Sequence, residues 1–133
     1  MSLQNCKIID LTRINDPRGH LTFIESQRHI PFDIKRVYWI TSVPPHAVRG
    51  RHAHRSVSEL LVAVSGSFAV HWRGATDSGS AVLRAPRDAL LIPPPYWRDL
   101  VDFSSDAVCL VLASGYFDPD EYVDDPAELA RLT

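Results

Sequence analysis

Cysteine is scarce in this chain. Cys6 and Cys109 are far apart with no C-x-x-C spacing, which argues against a dithiol redox pair or a cysteine-built zinc site. Cys109 falls inside the apolar run Ala107-Val108-Cys109-Leu110-Val111-Leu112 and reads as a buried free thiol. An excess of one charge is also missing: 14 Lys and Arg stand against 16 Asp and Glu, a formal net of −2, with basic residues scattered among acidic ones. That removes the electrostatic case for a nucleic-acid partner. No apolar run approaches the length of a membrane span, and the first residues lack a basic segment followed by an apolar stretch. The expectation is no membrane partner and cytoplasmic residence. Internal repeats and low-complexity segments are lacking too. The 133 residues, 45% apolar, are read as one domain over 1–133 with a real core.

What is present is a series of short apolar and β-branched runs separated by turn residues, the pattern of an all-β barrel or sandwich. Strands are expected at 7–11, 21–26, 36–41, 58–64, 67–73, 80–84, 89–92, 97–103 and 107–114. Ser65-Gly66-Ser67 and the stretch from Gly74 to Gly79 are expected as hairpin connections between antiparallel neighbours. Pro44-Pro45 and Pro93-Pro94-Pro95 lack ladder donors and are assigned to rim loops. The tail over 119–132 reads as helix, with Asp125 as a cap and Pro126 in the first turn. The expected fold class is therefore all-β, a small antiparallel barrel or jelly roll with a short C-terminal helix. Such a barrel can hold one ligand at its mouth.

Two histidines one residue apart, His52 and His54 in Arg49-Gly50-Arg51-His52-Ala53-His54, carry the most chemistry. In an extended segment, side chains at i and i+2 share a face, so both imidazoles project into one space. Two groups that titrate near neutral pH are then side by side. Glu59 follows, then Leu60 to Val64, then Ser65-Gly66. Written as H-x-H, four residues, E, six residues, G, this is similar to the first motif of the cupin superfamily. In a metal-binding cupin these three side chains are ligands, and a further histidine comes from a second motif. The matching stretch here is Ile92 to Asp99, with Arg98 where that histidine is expected. A guanidinium has no lone pair to donate and its charge repels a cation, so the site is read as metal-free and without a cofactor.

The ordered blocks Asp16-Pro17-Arg18-Gly19-His20-Leu21, Ile30 to Tyr38, Arg49 to His54, Asp102 to Asp106, Val111 to Ser114 and Tyr116-Phe117 extend the resemblance. Together they resemble the sugar 3,4-ketoisomerases of the FdtA/QdtA/WxcM-like group, which act on dTDP-4-keto-6-deoxyglucose, over about residues 9–122. The resemblance implies an isomerase that moves the carbonyl of a dTDP-linked 4-keto-6-deoxyhexose by histidine acid/base catalysis through an enediolate. It implies His54 as the base and His52 as its relay partner. Tyr38 and Arg49 are implied to contact substrate, with Arg98 a further candidate to stabilise the enediolate; Arg18 and Arg36 are suited to the nucleotide diphosphate. It also implies a homodimer in which an N-terminal strand covers a partner's exposed edge. Two positions depart from the family pattern: Arg98 replaces a histidine, and Arg51 stands where an aromatic is expected, making the mouth more cationic.

Other polar and aromatic residues have plainer readings. His20, His29, His46 and His71 are taken as ordinary polar side chains, and Trp39, Trp72, Phe23 and Phe68 as core packing. Arg84, Arg87 and Asp88 form a solvated turn; Asp124 and Asp125 are helix-start charges. Glu59 keeps two readings, a hydrogen-bond partner of a histidine or a solvent-facing side chain. Two other functions share the motif set: a 3,5-epimerase of a dTDP-keto sugar, and a sugar-nucleotide-binding cupin without turnover. An iron dioxygenase is the outsider.

Overall fold

The computed structural model describes residues 5–132. Its strands are β1 (Lys7–Asp10), β2 (Arg13–Asp16), β3 (Gly19–Thr22), β4 (Arg36–Thr41), β5 (Arg49–His54), β6 (Glu59–Ser65), β7 (Ser67–Arg73), β8 (Ser78–Arg84), β9 (Asp88–Ile92), β10 (Trp97–Val101), β11 (Val108–Ala113) and β12 (Tyr122–Val123), followed by one helix, α1 (Pro126–Leu132). They form two five-stranded sheets, ordered β1-β9-β6-β11-β4 and β12-β5-β10-β7-β8, with β2 and β3 as a separate hairpin. Every ladder between named strands is antiparallel. The all-β expectation holds.

Alternation decides what lies between the sheets. On β6, Leu61 and Ala63 point inward and join Phe68, Val70, Leu83, Leu90, Ile92, Leu100, Cys109 and Val111 in the central core. Leu60 and Val62 point outward and are covered by Leu11, Ile30 and Phe32. Burial on both faces explains why β6 reads as an unbroken apolar run rather than an alternating one. The same parity turns Glu59 inward, so a carboxylate stands at the end of this core. On β5, Ala53 packs outward against Trp97, Val123 and Leu129, which sends His52 and His54 to the inside.

Four sequence expectations are corrected. Ser65-Gly66-Ser67 is not a hairpin between neighbours but the corner where the chain passes from the first sheet to the second. Gly66 has φ +64°, and a Cβ there would lie 2.2 Å from Ser104 Oγ, so only glycine fits the corner. The tail is not helical throughout: a 3-10 turn at Pro119–Glu121 and strand β12 precede the helix. Asp125 does cap α1, its Oδ1 accepting from Ala127 N at 3.0 Å. Trp39 is not core; it stands 65% exposed on the outer face of β4. The early strands differ as well, since β2 went unrecognised and β3 ends at Thr22.

Candidate active site

The site lies between the inner faces of β4, β5, β6, β10 and β12. Its centre is Glu59, 1% exposed. Glu59 Oε1 accepts from Arg98 Nη1 at 2.6 Å, and Oε2 accepts from the Tyr38 hydroxyl at 2.8 Å. His54 Nε2 lies 3.4 Å from Oε1 and Arg36 Nη2 3.9 Å from Oε2. Burial pushes this carboxyl up, but His54, Arg98 and Tyr38 together hold it down at about 2. It is a buried carboxylate, the hydrogen-bonding alternative of its two sequence readings.

The two imidazoles meet edge to face, centroids 5.0 Å apart, as the i, i+2 spacing requires. His52 Nδ1 lies 2.9 Å from Gly50 O. A carbonyl only accepts, so Nδ1 carries the proton and Nε2 holds the lone pair. Among the described residues, that Nε2 is buried without a hydrogen-bond partner, and the ring nitrogens of His54 have no aligned hydrogen bond either, Nε2 keeping only its 3.4 Å approach to Glu59. Burial, and then the Arg98 charge, lower the His52 pKa to about 4, leaving it neutral at pH 7.

A β-bulge sets this geometry. On β10, Arg98 pairs with His52 and Asp99 with Gly50, so Arg51 is the extra residue. Gly50 and Arg51 both have positive φ, +80° and +59°. Arg51, two residues before the outward-facing Ala53, shares its face and lies outside, in a cleft with Trp97, His71 and Arg73. The expectation that Arg51 adds charge to the mouth is therefore corrected.

The remaining residues named from the sequence divide. Tyr38 and Arg36 belong to the site. The Arg36 guanidinium lies over the Tyr38 and Phe117 rings at 5.4 and 5.8 Å, and its Nε is buried and unpartnered. Arg49 is exposed and shares a rim cleft of about 360 Å³ with Tyr38. Arg98 is 1% exposed; besides Glu59 it donates from Nε and Nη2 to Tyr96 O. It braces the carboxylate from below instead of lining the mouth. Arg18 is apart from all of these, on the β2–β3 hairpin, its side chain 90% exposed and paired with Asp16 at 2.8 Å. Sequence reasoning missed Tyr122, whose ring lies 5.0 Å from His52 and 4.8 Å from His54, and the neighbouring Phe117. The only sequence signal was the Tyr116-Phe117 block; the expectation of a helix hid Tyr122.

His52, His54 and Glu59 each bring a donor atom within 4.8 Å of the others, the donor set on which cupin metal centres draw. They do not fit a cation here. Both carboxylate oxygens already accept hydrogen bonds, and a permanent guanidinium charge stands 2.6 Å from one of them.

A jelly-roll sandwich with a paired-histidine, carboxylate-centred pocket defines a cupin-like protein. Residues 4–133 match the family described as FdtA: WxcM-like, C-terminal, and the chain belongs to that family. A TDP-4-oxo-6-deoxy-alpha-D-glucose-3,4-oxoisomerase from Aneurinibacillus thermoaerophilus is 39% identical over 117 residues, covering 88% of this chain and 84% of the relative. Among solved structures, a histidine-to-asparagine variant of the 3,4-ketoisomerase QdtA from Thermoanaerobacterium thermosaccharolyticum, in complex with TDP-4-keto-6-deoxyglucose, superposes with TM-score 0.91. It is 36% identical, with 98% of this chain and 94% of that one covered. The TDP-quinovose 3,4-ketoisomerase WlaRB from Campylobacter jejuni gives TM-score 0.92 at 36% identity, covering 97% and 99%.

Proposed function

We propose that this protein is a sugar 3,4-ketoisomerase that moves the carbonyl of a TDP-linked 4-keto-6-deoxyhexose from carbon 4 to carbon 3. The reaction removes the carbon-3 proton, made acidic by the neighbouring carbonyl. The electron pair of that C–H bond becomes the C3=C4 double bond of an enediolate, with negative charge on the carbon-4 oxygen. The hydroxyl proton on carbon 3 passes to that oxygen. Protonation of carbon 4 from the catalytic group then leaves the carbonyl on carbon 3. Nothing is oxidised or reduced overall.

The observation that carries the reading is His52: neutral at pH 7, its tautomer fixed by Gly50 O, its Nε2 lone pair uncommitted among the described residues. The resemblance gave the base role to His54 and the relay to His52. The geometry supports the reverse order, because His54 is 0% exposed while His52 is only partly buried. His54, 3.4 Å from Glu59, is the group that can share a proton with a permanent carboxylate. Arg36 has an uncommitted Nε beside the pocket and suits the developing enediolate charge or a phosphate. Arg49 and the Tyr38 hydroxyl oxygen suit the sugar and its nucleotide. Arg98 acts by bracing Glu59 and by lowering the His52 pKa. We further propose a homodimer, because Trp39 and Val37 leave an apolar face on the unpaired edge strand β4. Ile14 and Leu21, opposite each other on the β2–β3 hairpin, are exposed as well.

Incubation with TDP-4-keto-6-deoxyglucose in deuterium oxide tests the function. NMR is expected to show a carbonyl at carbon 3 and deuterium at carbon 4. His52→Asn is expected to lower exchange at carbon 3 by about a hundredfold or more. Exchange with the carbonyl still at carbon 4 would establish an epimerase instead, and binding without exchange a sugar-nucleotide carrier.

A further inference from the structure

Neither ring nitrogen of His54 has an aligned hydrogen-bond partner among the described residues; apart from the 3.4 Å approach of Nε2 to Glu59 Oε1, its orientation rests on packing. His52 packs against it, centroids 5.0 Å apart, and so does Tyr122, its centroid 4.8 Å away. Tyr122 sits directly opposite His54 in the β5–β12 ladder, and residues opposite each other in an antiparallel pair present their side chains to the same face. Tyr122 also meets His52 edge to face at 5.0 Å. One ring thus walls both imidazoles, and its hydroxyl makes no hydrogen bond among the described residues.

A two-residue strand has little stability of its own. This one is tied down by the residue before it. The Glu121 carboxylate accepts from Ser56 N, from Val57 N at 2.6 Å and from Ser56 Oγ. Arg55 N donates to Glu121 O, and Arg55 Nε to Asp120 O, each at 3.0 Å. Residues 55–57 are three of the four residues that link His54 to Glu59. The tail is therefore stapled to the same short segment that connects the two histidines to their carboxylate.

We propose that Tyr122 is a positioning residue that holds His52 and His54 in register through its ring alone, and that Glu121 is the latch that keeps it there. This rests on the isomerase reading only for its kinetic arm. Packing by Tyr122 also shields His52 from water. The charged and titratable groups facing His52 are Arg98 on β10, His54 on β5 and Glu59 on β6, with Tyr122 on β12.

Proton NMR titration of the histidine rings, combined with pH-dependent kinetics, tests it in the full chain. Tyr122→Ala and Glu121→Ala are expected to raise the His52 midpoint toward the ordinary histidine range. In both, kcat is expected to fall about ten- to a hundredfold with KM changed by no more than about threefold. Tyr122→Phe is expected to keep the wild-type titration and most of kcat. If Tyr122→Phe is as damaged as Tyr122→Ala, the hydroxyl matters and the proposal falls. It also falls if folded Tyr122→Ala or Glu121→Ala titrates like wild type, whether or not less of it folds. The titration reads out independently of turnover, so an unaltered His52 midpoint and an absent isomerase activity are separate failures.

Discussion

Glu59 is where the residue-scale chemistry converges. A lone carboxylate at the end of a core would be driven to its neutral form by burial. His54 beside Oε1 and Arg98, with a 2.6 Å hydrogen bond, prevent this, and Tyr38 completes the second oxygen. The same guanidinium adds to the burial that lowers the His52 pKa. The departure at residue 98 thus has a consequence readable without substrate. In the unfolded chain His52 titrates near the reference value of about 6.5, and in the folded chain at about 4. Between those values the unfolded state binds a proton that the folded state does not. The stability held above about pH 6.5 is therefore lost as pH falls toward 4, by up to about 3 kcal/mol. Urea unfolding at pH 7, 5.5 and 4.5 is expected to show this slope, and His52→Asn to flatten it. Equal slopes in the two proteins would mean that His52 is not held neutral by the fold.

At the scale of elements, the bulge on β5 joins sequence to site. Gly50 supplies the positive φ, its carbonyl orients His52, and a Cβ on it would lie 3.0 Å from Arg98 O and 3.1 Å from Leu100 Cδ1. Gly50→Ala is expected to cost about 1–3 kcal/mol in thermal or urea unfolding and to lower kcat by disturbing the His52 tautomer. A variant with wild-type stability and rate would show that the bulge is not needed. The sequence reveals the pair His52 and His54 because two-residue periodicity survives within His52–His54, past the bulge. The same alternation sends Arg51 to the outer face with Ala53; the bulge itself, which changes which β10 residue Gly50 pairs with, has no local mark except the glycine. The β6 run was legible for the opposite reason: burial on both faces leaves a continuous apolar signature. Strand β2 went unseen because, among the described residues, it pairs only with its hairpin neighbour and carries no buried face. Strand β12 is two residues long, held by Glu121 and by tertiary packing that no local pattern encodes. Arg98 was found but misplaced, because spacing identifies a position on a strand and not which groups occupy its donors.

Across the whole molecule, the apolar surface that alternation leaves outside needs an account. Val37 and Trp39 point away from the core on β4, which pairs with β11 on one side and, among the described residues, with nothing on the other. An unpaired, apolar edge is a site for strand addition or face-to-face packing. The β2–β3 hairpin stands as its own two-stranded sheet, an arrangement with marginal stability when isolated in water. A second copy would cover both features, and a twofold axis makes the contact self-complementary. Sedimentation velocity at micromolar concentration is expected to give twice the chain mass. Trp39→Glu is expected to shift the population to the single chain by placing an unpaired charge in the contact. If wild type sediments as one chain at tens of micromolar, the exposed stripe is not a homodimer face. If Trp39→Glu remains dimeric, the contact lies elsewhere. The isomerase rate of the separated chain is expected to stay within about tenfold of wild type, because His52, His54, Glu59 and Tyr122 all come from one protomer and only the packing behind Tyr38 is loosened.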